Sequence, residues 1–313
     1  SPMSRGLGDV YKRQMIKSIV GLILRILPRP FLQLISKPIF KLISIFYRGK
    51  NVECPICNSR FSKFFPYGRD SRDNALCTNC LSLERHRLLY IYLFEKSDLL
   101  KKVTNVLHIA PEECFIKIFK NHNKITYTTA DLESPLAEIK MDIHDMPFED
   151  DMYDFILCNH VLEHVQDDIK ALSEIKRVLK KGGKGIVQVP FYKPIPKYTI
   201  EDKNIKSKKD REKYYGQSDH VRKYGEDYKQ RLESTGLKVE IVYPSDFLSK
   251  SEMKLYSVFE TEEIYIINKY LNPFFGEFEK YRTSVFFFSL LGPIFLFKIL
   301  KIKFSEVDNK ILF

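Results

Sequence analysis

The chain has 313 residues, of which 44% are hydrophobic and 29% charged, a balance that excludes a disordered polar tail and gives enough length for one large domain with extensions or two small ones. The formal net charge is +11, from 51 Lys and Arg against 40 Asp and Glu. That excess favours polyanionic or membrane-surface partners without choosing between them, since a lysine-rich surface produces the same sum.

Residues 1–14, SPMSRGLGDVYKRQ, resemble a translated sequencing adapter, with Met15 as the natural start, and they are set aside. From 15 to 50 the chain mixes apolar residues with repeated Lys and Arg, contains no acid, and is broken by Pro28, Pro30 and Pro38. An interfacial amphipathic arm on anionic headgroups fits this pattern better than a membrane span, and a helical arm packed on its own domain is the alternative. No cleavable export signal is evident, so a cytoplasmic location is expected, peripheral on the inner face of the membrane.

Residues 51–82 hold two cysteine pairs, Cys54 and Cys57 in CPIC and Cys77 and Cys80 in CTNC, separated by 19 residues. Two such knuckles can close a tetrahedron of thiolates around one zinc ion, a structural site because four protein ligands leave no open position. Paired disulfides are the alternative, disfavoured in a reducing compartment. Cys114 and Cys158 lie in apolar contexts and are expected in the core. SLERHRLLYIYLFEK then starts a helix whose Arg85, His86 and Arg87 suit either an anion or a solvated face.

From 83 to 270 strands and helices alternate. NVLHIA, KITYTTAD, MYDFILCN, GKGIVQVP, LKVEIVYP and EEIYIINK have strand character. The helix at Glu112–Asn121 follows Pro111, which suits a first helical turn, and a longer one is expected from Asp167 to Lys181 with Gly182-Gly183 as its stop. A third is expected in YGEDYKQRLESTG. Such alternation implies an α/β fold with a doubly wound, mainly parallel sheet, whose ligands bind outside the carboxyl ends of the strands. Beyond 271, Thr283–Phe297 is uncharged but short of a span and interrupted by Gly292-Pro293.

The phrases DMPFEDDMYDFI, LEHV and EIKRVLKKGGK, in that order, resemble the central block of class I S-adenosylmethionine-dependent methyltransferases of the type-11 kind, over about 103–269. With the four cysteines, LERHR, HIAPE and GQSDHVRKYG, the chain further resembles a zinc-ribbon-bearing subgroup. The resemblance implies a seven-stranded Rossmann-like sheet and S-adenosylmethionine as cofactor. It puts Asp131, with Leu132 beside it, on the ribose, Asp142 on the adenine amino group with Ile143 against the ring, and Asn159 at the cleft mouth. On the family's glycine-rich turn, His108 stands where an acid is usual, and Ala110, Glu112 and Cys114 stand where glycines are. Glu112 is expected to pair with the cofactor's ammonium in place of the missing acid, or only to complement the helix dipole.

His220 in YYGQSDHVRKYG is the candidate base, oriented by Asp219 or another carboxylate, with His160 as the substitute and Arg222 placed for an anionic acceptor. Alternatively, His220 and Arg222 only tie their loop to the sheet. The expected function is methyl transfer to a small or lipid-linked acceptor, such as a surface-glycan sugar. Two alternatives stand beside it: an RNA methyltransferase, whose phosphates KNIKSKKDREK would grip, and a non-catalytic, zinc-stapled scaffold docked on a membrane.

Overall fold

The computed structural model describes residues 40–270 apart from 69, 70, 99, 102 and 103. The stretch 1–14, the arm as far as 39 and the tail from 271 lie outside the described residues.

Two hairpins make the small N-terminal module: β1 (Arg48–Cys54) pairs antiparallel with β2 (Ser59–Phe61), and β3 (Phe65–Tyr67) with β4 (Arg72–Leu76). Their apolar centre is Val52, Cys54, Phe61, Phe64 and Cys77, too little to hold a fold of this size without a staple. The chain leaves the module through α1 (Glu84–Tyr90), which widens into π-type hydrogen bonding over Ile91–Lys96.

The main sheet comprises β5 (Thr104–Ile109), β6 (Ile125–Asp131), β7 (Ile139–Lys140), β8 (Tyr153–Asn159), β9 (Leu179–Gln188), β10 (Lys238–Val242) and β11 (Ile264–Asn268). Its seven strands lie in the order β10-β11-β9-β8-β5-β6-β7, and β11 alone runs against the rest. The doubly wound, mainly parallel sheet expected from the sequence is therefore present. Alternation along its strands divides the core in two. Leu107, Ile109, Ile156 and Val187 face α3 (Asp168–Val178) and α5 (Tyr228–Glu233), while Val106, Phe155, Leu157 and Ile186 face α1, α2 (Glu113–Lys120) and α6 (Lys250–Tyr256). The remaining helix, α4 (Lys208–Tyr215), lies in the long connection after β9.

Three local differences from the expected elements have physical causes. α3 stops at Val178, because Leu179 turns extended (φ −74, ψ 131) and pairs with Tyr153, so the two glycines fall inside β9. A Cβ at Gly183 would stand 2.8 Å from the Lys180 carbonyl oxygen, which explains the glycine there. α2 starts at Glu113 with Glu112 as its N-cap, which leaves Pro111 just before the helix. Finally, the expected solvated face of LERHR is interior: Arg87 is fully buried, stacks 4.0 Å over the Phe64 ring and donates to five carbonyls. Three belong to the small module (Asn74, Ala75, Ser82) and two to the end of α6 (Tyr256, Ser257), so one side chain fastens the module to the main domain. Among the described residues, no helix is long and apolar enough to cross a membrane.

Candidate active site

Connections from β5 run toward β6 and β7, and those from β8 toward β9, so the sheet opens a crevice above the carboxyl ends of β5 and β8. At that edge the fold gathers Ala110, Glu112, Asp131, Asn159 and His160, residues scattered over 51 positions of sequence.

The turn after β5 lacks glycine yet keeps glycine's conformation. Ala110 sits at φ +52, and its N–H donates to the Ala130 carbonyl. An L-residue there costs about 1–2 kcal/mol, a strain retained where the backbone path matters. Glu112 makes no capping hydrogen bond to the helix it precedes. Its carboxylate instead accepts from His108 Nε2 at 2.6 Å and from Asn159 Nδ2 at 3.1 Å, with His86 Nε2 3.7 Å away. A role confined to the helix dipole is thereby replaced by a definite set of partners. His108, fully buried, is held at Nδ1 by the Tyr127 hydroxyl at 2.8 Å. Burial works against the Glu112 charge, but the His108 hydrogen bond and the surrounding bases overcome it and hold the carboxyl at about 2.

His86 reaches this carboxylate from α1. Its Nδ1 accepts from the Leu83 N–H, which puts the ring proton on Nε2, a buried atom without a hydrogen-bond partner. Burial, aided by Arg85, pushes the imidazole down to about 3. The unfolded ring binds a proton near 6.5 and the folded ring does not, so stability is full above pH 6.5 and falls as the pH drops from there toward 3. Glu112 adds a loss of the same sign between 4.5 and 2. Between pH 7 and 5 we expect urea unfolding to lose about 2 kcal/mol, with His86→Gln removing most of that slope. An unchanged slope in His86→Gln would assign the acid sensitivity elsewhere. Arg85, Glu112, His160 and Arg87 are charged or titratable groups whose fields act on the ring.

Asp131 ends β6. Its Oδ1 accepts from the Glu133 and Ser134 amides at 2.8 and 2.6 Å, so it caps its own turn with one oxygen and leaves Oδ2 for a ligand. Leu132 beside it is 62% exposed, whereas Ile143 is buried in the core. Asp142 is solvent-facing, and the backbone N–H and ring of His144 hold its carboxyl below the usual range. Asn159 closes β8 with Oδ1 buried and unpartnered.

On the other side of the crevice, His160 takes a left-handed backbone (φ +54), with Nδ1 3.5 Å from Glu163 Oε1. His220 is buried, and burial lowers its affinity for a proton. Asp219 approaches His164 rather than His220, its Oδ2 lying 3.6 Å from His164 Nδ1. Arg222 is not available to an anionic acceptor. It is fully buried and donates to the carbonyls of Leu162, Val165 and Gln166 and to Glu201, so the loop-tying alternative describes it.

All four cysteine sulfurs of the small module lie within 4.8 Å of one another. Cys54 and Cys80 are 3.5 Å apart and Cys57 and Cys77 3.7 Å, too far for disulfides and close to the ~3.8 Å edge of a tetrahedron with ~2.3 Å metal–sulfur bonds. Ser82 Oγ contacts Cys54 and Cys80 at 3.3 and 3.2 Å. Cys158 is buried in the core, as expected.

Residues 96–187 match the sequence family described as "Methyltransferase domain". Over that segment, less than a third of its length, the chain is similar in sequence to a methyltransferase domain. Its sheet order and single reversed strand give the Rossmann-like methyltransferase fold, continuing past the matched segment through β10 and β11. Two curated relatives come from Methanocaldococcus jannaschii. "Uncharacterized protein MJ1123" is 39% identical over 71 residues, 23% of this chain and 32% of that protein. "Uncharacterized protein MJ0638" is 39% identical over 110 residues, 31% of this chain and 48% of that protein. The chain thus spans about a third of one of these relatives and about half of the other. A solved structure of a SAM dependent methyltransferase from Archaeoglobus fulgidus is 14% identical, covering 60% of this chain and 94% of that one with a TM-score of 0.39.

From the sequence, several groups had no role assigned to them at the crevice. Tyr127, His86 and Glu163 belong to it, as does Glu262, whose carboxyl burial pushes up close to His160 and Arg85. One signal was available for His86: four successive charged or polar residues, Glu84 to Arg87, sweep roughly 300° of a helix and cannot all face water.

Proposed function

We propose that the chain is an S-adenosylmethionine-dependent methyltransferase acting on a small or lipid-linked acceptor, such as a surface-glycan sugar, beside an anionic membrane. The left-handed Ala110 carries the cofactor part of this reading, because it preserves the path of a glycine turn next to two acceptors suited to an ammonium: the Glu112 carboxylate and the orphaned Asn159 Oδ1. An unpartnered buried acceptor of this kind calls for a donor. Asp131 Oδ2 would take the ribose, Asp142 the adenine amino group, and Leu132 and Ile143 the apolar edges of the ring. Bound there, the cofactor supplies an already activated methyl group, so the protein's own residues have to position the acceptor and accept one proton. His160 and His220 are the ring nitrogens on the acceptor side. The cysteine cluster would hold one structural zinc ion.

The membrane part rests on residues 40–46, a helical segment that exposes Leu42, Ile45 and Phe46, the last at 86%, beside Lys41 and Arg48. Full-length protein should bind phosphatidylglycerol vesicles with an affinity that falls as salt rises. Equal binding after removal of 15–50 would take that role from the arm.

Calorimetry with S-adenosylmethionine tests the central reading. Asp131→Ala should weaken binding by about 1.5–3 kcal/mol, roughly 10- to 150-fold, as for a charge-assisted hydrogen bond. Absence of binding by the parent would favour the non-catalytic scaffold, and parental affinity in Asp131→Ala would remove the ribose assignment.

A further inference from the structure

The acceptor side holds a group of side chains that a single base does not explain. Glu163 and His164 follow β8 on one turn, and His220 belongs to the loop after α4. One donor atom from each lies within 4.8 Å of the other two. Glu163 and His220 are each only 1% exposed, yet Glu163 Oε2 and His220 Nδ1 have no hydrogen-bond partner. In the tautomer protonated at Nε2, the orphaned His220 Nδ1 offers a lone pair. A carboxylate oxygen and an imidazole nitrogen, both buried and unpartnered, thus belong to one cluster of potential ligands, and groups left unmatched in this way call for an explanation such as a shared ion.

We infer that Glu163, His164 and His220 form an open site for one first-row divalent transition ion, distinct from the cysteine cluster. Two imidazoles and one carboxylate are a donor set such ions accept, and three protein ligands leave a position for water or a substrate oxygen. His164, 38% exposed, provides the solvent-facing side and the path of entry, with Nε2 3.9 Å from Glu163 Oε1. Outer contacts of the kind that orient metal-bound histidines are in place. His164 Nδ1 lies 3.4 Å from the Asp219 carbonyl and 3.6 Å from its carboxylate, leaving Nε2 toward Glu163. The two segments are locked in register, since the Val221 N–H donates to the Glu163 carbonyl and Arg222 grips three carbonyls of the same turn. His160 Nδ1, 3.5 Å from Glu163 Oε1, stands at the rim. With an ion bound, His220 is a ligand rather than a free base.

The test is independent of methyl transfer. Full-length protein is dialysed against buffered Co2+, and its metal content and absorption are compared with those of His164→Ala, Glu163→Gln and Cys54→Ser. The parent should bind one equivalent more than His164→Ala, a change at an exposed residue that leaves the fold intact. The Kd of that equivalent should rise at least ~100-fold in either acceptor-side variant, as a lost ligand costs no less than a lost outer contact. Its spectrum should lack the thiolate charge-transfer band, and that band should persist in His164→Ala and vanish in Cys54→Ser. Equal metal content in parent and His164→Ala overturns the site. So does an extra equivalent that disappears with Cys54 alone. A parent without the second equivalent whose turnover falls in His220→Ala also overturns it, by returning His220 to the role of free base.

Discussion

Replacing Cys77 by serine is expected to abolish the zinc binding proposed for the small module and to unfold its four strands. Structural zinc bound by such ligands is worth roughly 10–16 kcal/mol of apparent folding free energy at neutral pH, and the apolar centre of five residues cannot compensate. The damage should not stop at the module. Arg87 is anchored on the carbonyls of Asn74, Ala75 and Ser82, and His86 beside it faces Glu112 in the turn after β5, where the cofactor is proposed to bind. Metal analysis should show loss of one equivalent, amide exchange should show loss of protection from Arg48 to Leu76, and cofactor affinity should fall with them. Cys158→Ser, a buried thiol outside the cluster, should keep the metal. A Cys77→Ser protein with full metal and protected strands would show that the four thiols act as an ordinary core.

The second large effect is expected at Arg87. Truncation to alanine strands five carbonyl oxygens and empties the space over Phe64, and we expect a loss of about 3–5 kcal/mol in urea unfolding. Arg87→Lys should recover only part of this, because an ammonium is a compact donor and cannot span carbonyls from two domains as the planar guanidinium does. A loss below about 1 kcal/mol in Arg87→Ala would mean that the module and the main domain are held together by other contacts.

What the sequence disclosed was local or periodic. The CxxC pairs announce a shared centre at short spacing, and strand alternation gives the two faces of the sheet without knowledge of their partners. α3 was visible from its Asp167 cap and apolar stripe, but not its end, because Leu179 is pulled into β9 by Tyr153, 26 residues earlier. The misread residues are those whose partners lie far along the chain. Arg87 meets Tyr256 across 169 residues, and Arg222 meets Leu162 across 60. An arginine whose partners are distant backbone carbonyls reads as a solvated face or an anion site until the fold supplies them. Glu112 is intermediate: its pairing with His108 four residues earlier is short range, but Asn159 reaches it from another strand.

The reversed strand β11 has a directional consequence for anyone immobilising or tagging the protein. Asn268 aligns with Lys184 of β9 and Lys238 of β10, at the amino ends of the parallel strands, and Lys269 is fixed there by Gly183 and Asp151. The chain therefore leaves the sheet at Tyr270 on the edge opposite the crevice. A sensor surface or fluorophore coupled at that point would sit on the edge opposite the crevice and would report little of what enters it. A probe meant to sense ligand belongs at Leu132 instead.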